Sequence, residues 1–369
     1  MALRYAKGGG MMRALFPITA MLALIACSEA PQATVYQHDQ CHRLQLVDDA
    51  TGLDIVGAEE MLRLPNHDLL VSAYDRRSKT KDGSPPEGGI YIVPRDALSK
   101  KTFKVSSLIK TLPGGLRPHG MDAIELENDV IKVAFVNRGA VIDGKPHNSI
   151  VRFDLDGERA SKPQITHGEA FCRANDVAFY KTKTSPHSLA VTLDRKYCTG
   201  FKAFVENISG SQQGSLITLD NEAKTIENLA FPNGVGIQFP KRLNDEANFL
   251  AVAETRANRI SYHPKSSARD EIKLPGSPDN MSVWKPGIIL AALHPSLTRL
   301  ALYRYKWPGF SKAPSRVVKV TGTQALLLFD DPTGELFSAA SIAVQTAGNL
   351  VLGSVGDSGL LVCDGRSSS

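Results

Sequence analysis

The 369-residue sequence has no basic tract interleaved with aromatic residues, so the charge footprint of a nucleic-acid partner is missing. It has no cluster of cysteines and histidines, which argues against a zinc or copper centre. No long stretch shows helical periodicity, so helices are not expected to build the core. The apolar run at 14–26 is too short to span a bilayer comfortably. What remains is an ordinary globular composition, 42% hydrophobic and 22% charged, on a chain long enough to bury a large core.

The front end is special. Residues 11–30 read "MMRALFPITAMLALIACSEA": a basic start at Arg13, an apolar stretch, and small residues leading to Cys27, the layout of a secretion signal. "LIAC" at 24–27 resembles a bacterial lipobox, which implies cleavage before Cys27 and acylation of its thiol, and Ser28 resembles an outer-membrane sorting choice. The expected organisation is a lipoprotein signal peptide over 1–26, a tether over 27–40 and a folded domain over 41–369. Such a protein resides in the bacterial cell envelope, at the outer membrane, and meets the bilayer through its lipid alone. Removal of 1–26 takes away Arg4, Lys7 and Arg13 and no acid, lowering the net charge from +5 to +2.

Export places Cys41, Cys172, Cys198 and Cys363 in an oxidising compartment, where disulfides persist. Four thiols allow three pairings. Cys41 and Cys363 lie near the two ends of the domain and Cys172 and Cys198 flank one local segment, which favours Cys41 with Cys363 and Cys172 with Cys198.

Short runs rich in Val, Ile, Leu and Ala recur to the end of the chain, separated by Gly, Pro, Asn and Asp, so the expected fold is all-β. The runs group into six units, each opening on a polar residue: Glu59, His119, Asn175, Asn233, Asn280 and Ser341. The intervals are 60, 56, 58, 47 and 61 residues, the range in which four-stranded propeller blades repeat. The prediction is a six-bladed β-propeller whose first strand, "CHRLQLV" at 41–47, completes the last blade and is stapled there by the Cys41–Cys363 disulfide.

In a propeller the innermost strand of each blade starts at the mouth of a central channel. Glu59, Asn175, Asn233 and Asn280, with Asp279 beside the last, are therefore expected to converge as a ring of oxygens. One such residue is usually a turn former; five in phase with a repeat point to a ring that suits hard Ca²⁺.

The blocks "GAEEMLRLPNHDLLVSA" (57–73), "RPHGMDA" (117–123), "CRANDVAF" (172–179), "FPNGVGI" (231–237), "PDNMSV" (278–283) and "NLVLGSVGDSGLLVCD" (349–364) resemble, in order, those of the serum paraoxonase and arylesterase family. The resemblance implies a six-bladed propeller that hydrolyses lactones and aryl esters with two calcium ions in its channel. It implies a catalytic calcium on Glu59, Asn175, Asn233, Asp279 and Asn280, and a structural calcium on Glu60, Asp176 and the backbone carbonyl of Met121. His119 in "RPHG" matches the family's catalytic histidine, a base suited to activating water. His294 in "LHPS" resembles a pocket-lining histidine, and Asp194 in "VTLDRKY" an aspartate near the site.

Two positions depart from the family. Glu60 stands where it has Asp, and Arg138 in "VNRG" stands where a partner histidine follows an Asn. Arginine cannot accept a proton. Three outcomes are open: His119 acts alone, kept neutral by the neighbouring cation; Asp194 orients it; or Arg138 holds an anionic group of the substrate. We favour the last two together. Two other classes compete with the hydrolase: a single-metal propeller of the gluconolactonase or strictosidine-synthase-like kind, and a non-catalytic lipoprotein in which calcium only stabilises a binding surface.

Overall fold

The computed structural model describes residues 34–365 apart from 82, 84, 127, 128, 140, 143, 144, 181–186, 220–223, 239–248 and 264–269. The expected signal peptide over 1–26 and the expected acylation site Cys27 lie outside the described residues. Among those described, no helix is long and apolar enough to cross a membrane.

Six antiparallel sheets form the blades of a propeller. Their innermost strands are Ala58–Arg63, Pro118–Glu125, Ala174–Tyr180, Pro232–Gln238, Ser277–Lys285 and Ala340–Thr346. Each innermost strand touches that of the next blade, and the sixth touches the first, so the ring is closed. Hairpins carry the chain outward within each blade. In the sixth, Ala347 and Gly348 both adopt positive φ (48° and 84°) between the paired Thr346 and Asn349, the mirror-image turn that matches strand twist.

Closure follows the sequence expectation. Cys41–Asp48 adds to Leu360–Asp364 as the outer strand of the sixth blade, with Cys41 opposite Cys363 and the two joined as a disulfide. Its second half, Gln45 to Asp48, pairs in parallel with Thr102–Val105, the strand that follows the three strands of the first blade in the chain. One eight-residue strand thus ties the last blade to the segment leaving the first. The folded region begins earlier than the expected tether boundary. Tyr36 is buried between the fifth and sixth blades, its amide donates to the Leu328 carbonyl at 2.9 Å, and a ring nitrogen of His38 lies 2.8 Å from the Asp330 carbonyl.

Hydrophobic packing fills every gap between neighbouring blades. A small sheet cannot bury both faces alone, and radial stacking buries them against neighbours. Between the first and second blades, Phe135 lies edge-on to Phe153 among Leu70, Ile90 and Val151. Truncating such a ring to alanine costs about 3–5 kcal/mol. Two short helices interrupt the pattern: α1, Gly200–Ser209, and α2, Leu297–Arg304, each following the second strand of its blade.

Candidate active site

All six innermost strands carry a register shift at the residue that opens the repeat unit. The ladder slips between Ala58 and Glu60, Pro118 and Met121, Ala174 and Val177, Pro232 and Val235, Pro278 and Met281, and Ala340 and Ile342. A bulge leaves one residue unpaired and re-aims its side chain. Glu59, His119, Asn175, Asn233, Asp279 with Asn280, and Ser341 occupy these bulges. Glycine makes the close approach possible at two of them. A Cβ on Gly120 would strike the Asp176 carboxylate and the Asn175 carbonyl, and one on Gly234 would sit 2.9 Å from the Asn280 Cα.

Hydroxyls lock the bulges from the neighbouring blade. Ser72 donates to the His119 carbonyl (2.7 Å), Thr192 to that of Asn233 (2.7 Å), and Thr255 to that of Pro278 (2.7 Å). The Glu59 carbonyl accepts from Asn280 Nδ2 (2.8 Å) and Ser341 Oγ (3.1 Å).

The bulges open on a cavity of about 760 Å³ lined by Glu59, His119, Asn175, Asn233 and Asp279, with α1 and α2 contributing to its walls. Arg138, Asp194 and His294 line it too. The structure therefore brings together most of the residues proposed from sequence. Asn280 is fully buried just behind, holding the Glu59 backbone.

The oxygen ring is unsatisfied. The Oδ1 atoms of Asn175, Asn233 and Asn280 are buried with no hydrogen-bond partner. Burial pushes the Glu59 carboxyl up, Arg76 pulls it down and Asp279 pushes it up again, leaving it above its usual range. Asp279 accepts from Asn233 Nδ2 and lies 2.8 Å from a ring nitrogen of His294. His294, in place of an exposed turn residue, is buried and positions that carboxylate. Orphaned amide oxygens beside two carboxylates are the donor set of a hard cation. Among the described residues no group of three or more His, Cys, Asp or Glu side chains is placed to hold a metal, because three of the five candidate ligands are asparagines.

The second proposed site is built differently. Glu60 Oε1 accepts from the Met61 amide (3.1 Å) and its Oε2 is buried without a partner. Both Asp176 oxygens accept backbone amides, from Val177 and Val235, each at 2.8 Å. Burial first, then the Asp176 charge, holds the Glu60 carboxyl well above its usual range. Met121 follows the second blade's bulge and pairs with Phe135. Asn175 and Asp176 thus diverge, one to the cavity and one between strands.

His119 is buried, with Nδ1 3.3 Å from Glu59 Oε2, out of hydrogen-bond alignment, and Nε2 3.3 Å from Arg76 Nη1. Arginine only donates, which assigns Nε2 as the acceptor and leaves the proton on Nδ1. Burial, then Arg138, Arg76 and Arg304, hold the imidazole well below its ordinary value, so it is neutral at neutral pH. Asp194 does not serve as the orienting group: its carboxylate lies 3.2 Å from Arg195 Nε, and Glu59 and Arg76 flank the imidazole instead.

Two cavity residues were not singled out in the sequence. Arg76 stands in the polar stretch "RRSKTKDGSPPE" at 76–87, which reads either as a solvated hairpin loop or as a cover over the channel mouth, and it enters the channel and donates to Glu59. Arg304 comes from α2, a helix too short to show a period. Cys172 and Cys198 are joined as expected, and Arg173 donates to the Tyr197 and Cys198 carbonyls (both 2.6 Å), securing the approach to α1.

No protein-family model matches the chain, and no curated protein matches it. Among solved structures it is similar to one assigned as a gluconolactonase, at 13% identity over 87% of this chain and 90% of that one, TM-score 0.48. It is also similar to the soluble aldose sugar dehydrogenase from Escherichia coli in the apo-form, at 12% identity over 87% and 98%, TM-score 0.45. A glucose dehydrogenase shares 13% identity over 87% and 98%, TM-score 0.42. At such values no residue role passes from these proteins to this chain.

Proposed function

We propose that the protein is a calcium-dependent hydrolase of lactones and aryl or carboxylic esters. The observation that carries the reading is the ring of buried, partnerless amide oxygens of Asn175, Asn233 and Asn280 beside the Glu59 and Asp279 carboxylates, with a neutral histidine in the same cavity. Those five residues would hold one Ca²⁺. When bound, such an ion polarises an ester carbonyl and stabilises the oxyanion.

The chain's own groups supply the proton transfers. His119 is kept neutral; its Nε2 lone pair accepts from Arg76 at 3.3 Å in the free protein and takes a proton as water adds to the carbonyl carbon once the bound substrate and its water displace that contact. The same proton returns to the leaving oxygen when the carbon–oxygen bond breaks, giving acid and alcohol, or a hydroxy acid from a lactone. Glu59 faces the protonated Nδ1 and offsets the charge that His119 acquires. Arg76 anchors Glu59, and His294 anchors Asp279.

Phenyl acetate and a series of lactones are expected to be hydrolysed with calcium present, to lose turnover in EDTA, and to regain it on adding CaCl₂. Hydrolysis indifferent to chelation would remove the ion from the chemistry. No turnover of any ester with calcium present supports the binding-protein alternative. In the main reading Glu60, Asp176 and the Met121 carbonyl would hold a second Ca²⁺; because both Asp176 oxygens already accept backbone amides, a single-metal propeller of the gluconolactonase or strictosidine-synthase-like kind is the second reading. Metal analysis separates the two: one equivalent per chain favours the second reading, and two favour the first.

A further inference from the structure

The acids and cations that line the cavity do not balance. Arg76 is committed to Glu59, Arg195 to Asp194, and Asp279 to His294 and Asn233. Arg256 donates to the Glu206 and Asn207 carbonyls near the end of α1, at 3.2 and 2.8 Å. Among the described residues, two guanidiniums that line the cavity, Arg138 and Arg304, have neither a carboxylate nor a backbone carbonyl as partner. Arg138 follows the second strand of the second blade, and its Nε is buried with no hydrogen-bond partner. Arg304 closes α2 and stays accessible to water inside the cavity.

The two cations share one neighbourhood although they come from different blades. Both line the same cavity as Arg76, whose own charge is committed to Glu59. Like charges gathered without enough counter-charge weaken a fold unless a ligand uses them. Both line the same cavity as the His119 imidazole, so an anion they hold shares that chamber with the base.

We propose that Arg138 and Arg304 form a receptor for a carboxylate or phosphate group on the substrate, so that the ester or lactone turned over is an anionic one. The word substrate rests on the hydrolase reading; the anion receptor does not. Guanidinium forks match both groups through paired N–H donors, and a cavity of about 760 Å³ admits a small bifunctional molecule.

The test has a binding arm and a kinetic arm. Calorimetric titration of the full chain, stripped of metal and exchanged into chelator-free buffer so that neither a metal ion nor EDTA's own carboxylates compete, uses glutarate, inorganic phosphate and neutral glutaramide. Glutarate or phosphate is expected to bind about tenfold or more tightly than glutaramide, and Arg138→Gln and Arg304→Gln each to weaken the anion by about tenfold or more. Tighter glutarate assigns a carboxylate-bearing substrate, and tighter phosphate a phosphorylated one. The kinetic arm compares γ-butyrolactone with its γ-carboxylate: kcat/KM is expected to favour the carboxylate by about tenfold, with the ratio falling toward one in Arg304→Gln.

Equal binding of glutaramide by the unmodified protein, which needs no variant to fold, overturns the proposal. So does anion binding unchanged in both variants. Neutral and anionic lactones hydrolysed alike would leave the hydrolase standing and remove the receptor. Arginine-dependent anion binding without turnover of any ester would keep the receptor and remove the hydrolase.

Discussion

Arg76 donates to the Glu59 carboxylate inside the channel, and the pair is almost sealed from water, with side chains 12% and 3% exposed. An ion pair of this kind adds little over an apolar pair, but removing one partner strands the other charge. Arg76→Met is therefore expected to lower the stability of the metal-free protein by about 3–5 kcal/mol, read by denaturant melts in EDTA. Calcium should narrow the deficit, because an ion bound at Glu59 supplies the missing counter-charge. A variant as stable as the parent in EDTA would show that Glu59 has another partner.

His119→Gln keeps a polar group of similar reach and removes the base. A general base contributes about 10²- to 10⁴-fold, so kcat for phenyl acetate should fall by that factor with little change in KM. Undiminished kcat would move the role to another group. Thermal melts of the variant should stay close to the parent's, which separates chemistry from folding.

Glu254 offers a pH test remote from the cavity ring. Burial pushes its carboxyl up, but hydrogen bonds from Arg259 to both oxygens (2.8 Å each) and from the Ala230 amide (2.9 Å) more than offset this and leave it below its ordinary value. A carboxyl lowered by folding contributes stability at pH above its unfolded value, and the contribution is lost as pH falls through the folded value. Glu254→Gln should cost about 3–5 kcal/mol at pH 7, and the gap to the parent should begin to narrow as pH falls below about 4. Urea melts across pH 3 to 8 check the sign, and a gap that widened in acid would contradict it.

The disulfide between Cys41 and Cys363 closes a loop with a sequence separation of 322. Replacing both cysteines with serine should cost about 5–6 kcal/mol by loop-closure entropy, against about 3.5 kcal/mol for the shorter Cys172 to Cys198 loop. Unfolding midpoints of the two double variants should rank in that order.

The repeat was legible because a propeller imposes one polar position per blade in phase, and Glu59, His119, Asn175, Asn233, Asn280 and Ser341 each fall at a bulge. The seam was legible from Cys41 and Cys363. The bulges themselves were not, since a slip of the ladder leaves no composition signal. Ser72, Thr192 and Thr255 end apolar runs and read as strand ends; their bonds to the next blade exist only once the blades stack. Arg76 and Arg304 escaped for a related reason: where a loop or a short helix turns its cation is decided by the channel it enters. Asp194 was read as a partner of His119, but its immediate sequence neighbour Arg195 took the carboxylate.

Between Cys41 and Cys363 the polypeptide is a covalent circle. A protease that cuts one surface connection opens the circle without dividing it, so both fragments stay on one molecule and no blade is released. A nicked chain would run intact on a non-reducing gel and split only after reduction. Durability is thereby moved from the peptide backbone to one sulfur–sulfur bond, and a reductant becomes more dangerous to the ring than a single cleavage.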